Sequence, residues 1–173
     1  MPTTYTLNDV DIAAVAALTE AITQEPSKAD TVWTADVTWT GGFRSEAKIR
    51  DFDPVPSDEP TSLGGGNTAP NPVEQILGAF GNCLAVGVAA NATARQIEIE
   101  SLSISIEGEL DLHTFLGLAA DGNAGFSEIR ARINLATSAD AAQVDDLIEH
   151  VFATSPVGQT FAREVAVSVV NGS

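Results

Sequence analysis

The 173-residue chain carries a single cysteine, Cys83, so neither an internal disulfide nor a zinc site built from cysteines is open to it. A lone free thiol fits a reducing cytoplasm better than an oxidising exterior. Positive charge is also scarce: Lys28 and Lys48 are the only lysines, and 8 Lys+Arg against 24 Asp+Glu leave a net charge of -16. Such a field repels phosphate backbones and anionic lipid surfaces, which argues against nucleic-acid and membrane partners. An acidic, lysine-poor balance also occurs in salt-tolerant organisms, although acidity by itself mainly promotes solubility. Met1 to Asp9 lack a basic region followed by an apolar stretch, so no signal peptide is expected. No run approaches the ~20 apolar residues of a bilayer span, since even Ile76 to Ala90 contains Gly78, Gly81, Asn82 and Gly87. The reading is of a soluble, acidic, cytoplasmic protein, long enough as one domain to bury roughly 70% of its unfolded surface without staples.

What is present is periodic. From Asn8 to Gln24, the residues Val10, Ala14, Ala17, Leu18, Ala21 and Ile22 recur near a 3.6-residue period behind a capping Asn or Asp, and Pro26 ends this amphipathic helix. Val32 to Thr40 and Phe43 to Phe52 read as a hairpin turning at Gly41-Gly42. Asp53 to Pro72 is saturated with Pro, Gly, Asp and Asn and reads as a long ordered loop or lid. Pro72 suits the first turn of a helix running to about Arg95. Apolar residues cover almost the whole circumference of this helix, which places it in a core or an interface. Gly78, Gly81 and Gly87 each cost about 1 kcal/mol against alanine, so they predict close approach of another backbone, a subunit partner being one candidate. Leu102 to Leu110 and Ile129 to Leu135 alternate as two half-exposed strands around a polar loop at Asp121-Gly122-Asn123. Asp140 caps a helix carrying Val144, Leu147, Ile148, Val151 and Phe152, Ser155-Pro156 ends it, and Glu164 to Val170 reads as a closing strand. The expectation is a single α+β domain, 1–173, divided into an N-terminal helical extension (1–28), a hairpin (31–52), a loop (53–71), a central helix (72–95), and two strands, a helix and a strand (99–170).

Three features stand together: the acidic-to-glycine loop from Asp58-Glu59-Pro60 to Gly64-Gly65-Gly66, the helix start Ala69-Pro70-Asn71-Pro72-Val73-Glu74-Gln75-Ile76-Leu77, and Cys83 nine residues beyond Glu74. With Ser155-Pro156-Val157 near the end, the chain resembles the OsmC/Ohr family from Trp33 to Val170, as a divergent member without the second cysteine. The resemblance implies antiparallel sheets packed around a long buried central helix in an intertwined homodimer. It also implies thiol-dependent reduction of organic hydroperoxides in oxidative-stress defence, with no cofactor beyond an external dithiol reductant. Cys83 matches the attacking thiol of that family.

Only a thiolate attacks, and an unperturbed thiol titrates near ~8.5, so the role calls for a neighbouring cation. Cys83 lies about eleven residues, roughly 16 Å, inside its helix, out of reach of the N-terminal dipole. Family members take an arginine from the early hairpin, where Gly41-Gly42-Phe43-Arg44 resembles the corresponding turn; Arg44 is the first candidate and Arg50 the second. The alternative for Arg44 is a solvated strand face. Glu74 corresponds to the carboxylate that holds the arginine. In the hydroperoxidase branch that carboxylate stands ten residues before the cysteine, where this chain has Val73. At ~100° per residue, Glu74 and Cys83 fall on opposite sides of one continuous helix, so a shared site needs a bend, with Gly78 a candidate, or a dimer. Glu74 is equally explained as a complement to the helix N-terminus. Ser155 stands where the family's resolving cysteine would be and cannot form a disulfide. It serves equally as a cap for the turn that follows.

Two functional readings stand: a one-cysteine organic hydroperoxide reductase, and an inactive relative that binds a small apolar ligand at the dimer interface, with Cys83 a small buried hydrophobe. The residues Asp145, Asp146, Glu149 and His150 read as a solvated helix face, not as a metal site. His113 has no relay partner in the sequence, Gly64 to Gly66 lack the Gly-Lys-Ser/Thr ending of a phosphate loop, and the sequon at Asn91 falls inside a helix.

Overall fold

A computed structural model describes residues 6–172. The expected extension is therefore followed only from Thr6, and Met1 to Tyr5 lie outside the described residues. The stretch read as one domain groups into two compact units, the second being Ala13–Gly78 and the first combining the segment that ends at Ile12 with everything from Ala79 onward. Five helices, α1 (Ile12–Gln24), α2 (Pro72–Ala94), α3 (Leu112–Phe115), α4 (Ala141–Thr154) and α5 (Pro156–Ala162), and five strands, β1 (Asp36–Gly41), β2 (Arg44–Lys48), β3 (Val55–Ser57), β4 (Ser101–Leu110) and β5 (Phe126–Ala136), are found among the described residues.

The first unit holds the apolar core. Phe80, Leu84, Val88 and Ala92 recur every four residues along α2 and form a buried stripe with Ile97, Leu147 and Val151. Leu84, Val88, Leu147 and Val151 are essentially sealed from solvent, which stabilises the fold by about 1.5–3 kcal/mol for each. Beneath the stripe, β4 and β5 pair antiparallel from Ser101 opposite Ala136 to Leu110 opposite Phe126. Period-2 alternation turns Leu102, Ile104 and Ile106 of β4 toward the core and leaves Ser103, Ser105 and Glu107 outward. On the outward face Arg130 donates to Glu109 and Glu128 at 2.7 Å each. Asp140 caps helix α4 as expected, and Gln143 completes a reciprocal capping box with it.

Gly87 shows which neighbour the glycines of α2 serve. A Cβ there would come within 2.8 Å of Val151 Cγ1, so the close approach is to α4 of the same chain. Gly78 has open space around it. By length and apolar composition α2 could cross a bilayer, contrary to the expectation that no run is long enough. Its buried stripe is packed within the chain, as in a core helix. The remaining circumference is not covered: Ile76 and Val86 are exposed.

The second unit contains the sheet β1-β2-β3, antiparallel throughout, with Asp36 opposite Lys48 and Ala47 opposite Val55. The Gly41-Gly42 hairpin forms as expected, with shorter strands than 32–40 and 43–52. No apolar side chain of this unit is buried among the described residues; Trp33, Val37, Trp39 and Phe43 are all exposed.

Four further expectations are corrected. The N-terminal helix begins at Ile12, and Asn8 stands outside it. Instead Asn8, at φ 56°, donates from its amide to Thr93 Oγ1 and the Ile97 carbonyl and accepts from the Ile99 amide. The loop at 53–71 contributes strand β3, which Pro56 had disguised, and a 3-10 turn at Thr61–Leu63. A short helix, α3, interrupts the connection read as a polar loop. Glu164 to Val170 forms no strand, and Val167, Val169 and Val170 are more than 80% exposed. A strand needs an edge to pair with, and within the described chain these valines have none.

Candidate functional site

Cys83 sits on α2 directly before Leu84, at the flank of the buried stripe, and is a half-buried free thiol. Its position follows from helix geometry. A residue three beyond Phe80 and one before Leu84 borders the core without entering it. What meets it there is Ser155, whose Oγ lies 3.2 Å from Cys83 Sγ. Ser155 ends α4 and caps α5, and Pro156 in the first turn of α5 needs no amide hydrogen bond.

Every polar group of Ser155 is engaged. Its N–H donates to the Phe152 carbonyl at 3.2 Å, and its carbonyl accepts from the Gln159 N–H at 2.8 Å. Its Oγ accepts from the Gly158 N–H at 3.0 Å. The serine is 4% exposed. Its surroundings are tight, because a Cβ at Gly158 would lie 3.1 Å from both Ser155 Oγ and the Phe80 ring and 3.2 Å from the Phe152 ring. Phe80 stacks edge-to-face on Phe161 with centroids 5.4 Å apart. Phe80 and Phe152 also line an apolar groove of about 400 Å³ with Ile129, Ile133 and Ile148, and Glu149 at its edge.

The other sequence candidates belong to the second unit. Arg44 is exposed on β2 beside the hairpin turn and forms no ion pair among the described residues. Arg50 adopts φ 50° and lays its guanidinium over the Phe52 ring, 4.6 Å from the centroid. Glu74 joins a reciprocal capping box: its carboxylate accepts from the Asn71 N–H at 2.8 Å, and its own N–H donates to Asn71 Oδ1 at 2.9 Å. Asn71 reaches on to Glu59 at 3.2 Å. Within a unit, then, the structure joins Cys83 to Ser155, and Glu74 to the loop before α2.

That loop is organised by Asp58, which the sequence did not single out from its acidic neighbours. The carboxylate is buried and accepts from the Thr68 hydroxyl at 2.8 Å and from the N–H groups of Glu59, Gly66 and Thr68. The Thr68 hydroxyl, followed by opposing burial and the three backbone donors, sets the balance that holds Asp58 below the usual aspartate value. Among the described residues no three His, Cys, Asp or Glu side chains converge as a metal site. Asp146 instead pairs with Arg95 at 2.6 Å.

A family model described as OsmC-like protein matches residues 64–170. Among solved structures, an OsmC-like protein from Mycoplasma pneumoniae superposes with a TM-score of 0.67 at 17% identity, covering 77% of this chain and 89% of that one. An organic hydroperoxide resistance protein from Elizabethkingia anophelis superposes with a TM-score of 0.58 at 20% identity, covering 75% and 89%. For an organic hydroperoxide resistance protein OsmC from Legionella pneumophila the values are 0.56, 17%, 76% and 91%. No curated protein matches the chain in sequence.

Proposed function

Because this chain belongs to the OsmC family, we propose that it is a thiol-dependent peroxidase that reduces organic hydroperoxides through Cys83 alone, in peroxide-stress defence. The observation that carries this reading is the 3.2 Å contact between Cys83 and Ser155. The position that resembles the family's resolving cysteine abuts the thiol that resembles its attacking one. The hydroperoxide resistance proteins with the same fold support the substrate class.

The chemistry needs no resident cofactor. The Cys83 thiolate attacks one peroxide oxygen, the O–O bond breaks, and the alkoxide leaves with a proton as the alcohol, so that sulfur is oxidised to a sulfenic acid. With serine at 155, an external thiol displaces water to form a mixed disulfide. A second thiol equivalent, or the other arm of a dithiol, then releases Cys83 and leaves with the oxidised sulfurs. Arg44 is the proposed cation for the thiolate and the peroxide, consistent with a guanidinium that no carboxylate engages among the described residues. Glu74 is the proposed carboxylate of the site, through the helix start it already stabilises. A homodimer is proposed as well, supported by the uncovered faces of α2 and of the β1-β2-β3 sheet.

Mixed with cumene hydroperoxide and dithiothreitol, the protein should consume peroxide, and Cys83→Ser should abolish this. Consumption unaltered in Cys83→Ser would sink the reading. Arg44→Ala should lower kcat/KM by about two orders of magnitude. An equal loss in Arg50→Ala alone would transfer the role to Arg50. The apolar groove beside Phe80 favours the second reading, an inactive binder of a small apolar ligand. Saturable binding of an alkyl probe without Cys83-dependent turnover would select it.

A further inference from the structure

Resting on the reading of Cys83 as the reactive thiol, we infer that Ser155 is the positioning residue of that site, a hydroxyl that aims its only proton at Cys83 Sγ. A serine hydroxyl has one proton and two lone pairs. The Gly158 N–H points into one lone pair at 3.0 Å, which turns the proton away from the α5 backbone. The partner that remains in reach is the sulfur, at 3.2 Å. Its backbone N–H and carbonyl are both tied and only 4% of its surface is exposed, so among the described residues the sulfur is the acceptor that Ser155 faces.

Two consequences distinguish this arrangement from ordinary helix capping. A donor directed at sulfur interacts more strongly with an anionic sulfur than with a neutral thiol, because hydrogen bonds to charged acceptors are roughly twice as strong. Ser155 therefore holds the sulfur's rotamer and offers it a fixed donor. Cysteine at this position could not substitute, since a thiol is a weak donor and a weak acceptor and would loosen the Gly158 cap as well. The serine therefore supplies a fixed proton where the residue it replaces would supply a second sulfur. Gly158 belongs to the same device, because any side chain there would press on the Ser155 hydroxyl from 3.1 Å.

The test measures carbamidomethylation of Cys83 in the full-length protein by iodoacetamide across a range of pH, with mass spectrometry as readout and thermal unfolding as a fold control. It requires no peroxide turnover. Ser155→Ala should slow alkylation at neutral pH by roughly three- to tenfold, the gap closing at high pH, and Ser155→Thr, which keeps the hydroxyl, should recover most of the rate. Superimposable pH profiles for Ser155→Ala and the parent would overturn the inference, whether or not the protein proves to be a peroxidase. Should Ser155→Ala fail to fold, Ser155→Cys decides: diamide should join the two sulfurs, seen as loss of both thiols, and persistence of two free thiols would show that the side chains do not face one another.

Discussion

Asp58 illustrates how one side chain can order a segment that has little else to order it. Its folded-state value lies below the ordinary aspartate value of 3.8, so its contribution is complete above that value and disappears as the pH falls through the lower, folded one. Pepsin digestion across the acidic range should accordingly leave 58–68 uncut until the pH drops below about 3.8. Asp58→Asn turns an acceptor-only group into one with two donors facing four others, and should open the loop to a broad-specificity protease at neutral pH. A variant as resistant as the parent would show that the loop is held by something else. The sequence marked this stretch as acidic and glycine-rich, but it did not distinguish Asp58 from Asp53 or Glu59, because burial depends on how the loop closes. Cys83 was legible as the lone thiol, and its neighbour Ser155 only through family resemblance, since 72 residues separate them.

Elements with long, regular patterns were legible and short or conditional ones were not. Helices α2 and α4 and the pair β4-β5 carry enough apolar repeats to identify themselves, whereas β3 has three residues, one of them Pro56, and α3 has four. Helix α2 ends where Gln96, at φ 59°, completes a turn in which the Ile97 N–H reaches the Ala92 carbonyl and the Gln96 N–H the Thr93 carbonyl. Glycine suits that backbone better, and Gln96→Gly should raise unfolding stability by up to ~1 kcal/mol in chemical denaturation. Gly87→Ala should do the opposite by about 1–3 kcal/mol, because its Cβ meets Val151 at 2.8 Å. Adding Val151→Ala should return part of that loss; strict additivity of the two changes would contradict the packing described for α2 and α4.

The whole molecule combines a strong negative charge with apolar surface it does not cover. If two copies associate through those faces, each brings a charge of -16, and their mutual repulsion is screened by salt. Sedimentation equilibrium should therefore show association that tightens with added sodium chloride, and Trp33 and Trp39, 82% and 72% exposed in the single chain, should emit as shielded indoles in the associated state. A monomer at every salt concentration would remove the dimer. The closing strand read at Glu164 to Val170 belongs to this scale, since the sequence carries its β-forming valines but not the edge they require. Asn8 has a different consequence, one of timing. Its partners Thr93, Ile97 and Ile99 lie 85 to 91 residues further along, so during synthesis the segment around Asn8 emerges long before anything it binds exists. The loop between them must stay open until Ile99 has emerged, after which the clamp can close before β5, α4 and α5 have been made.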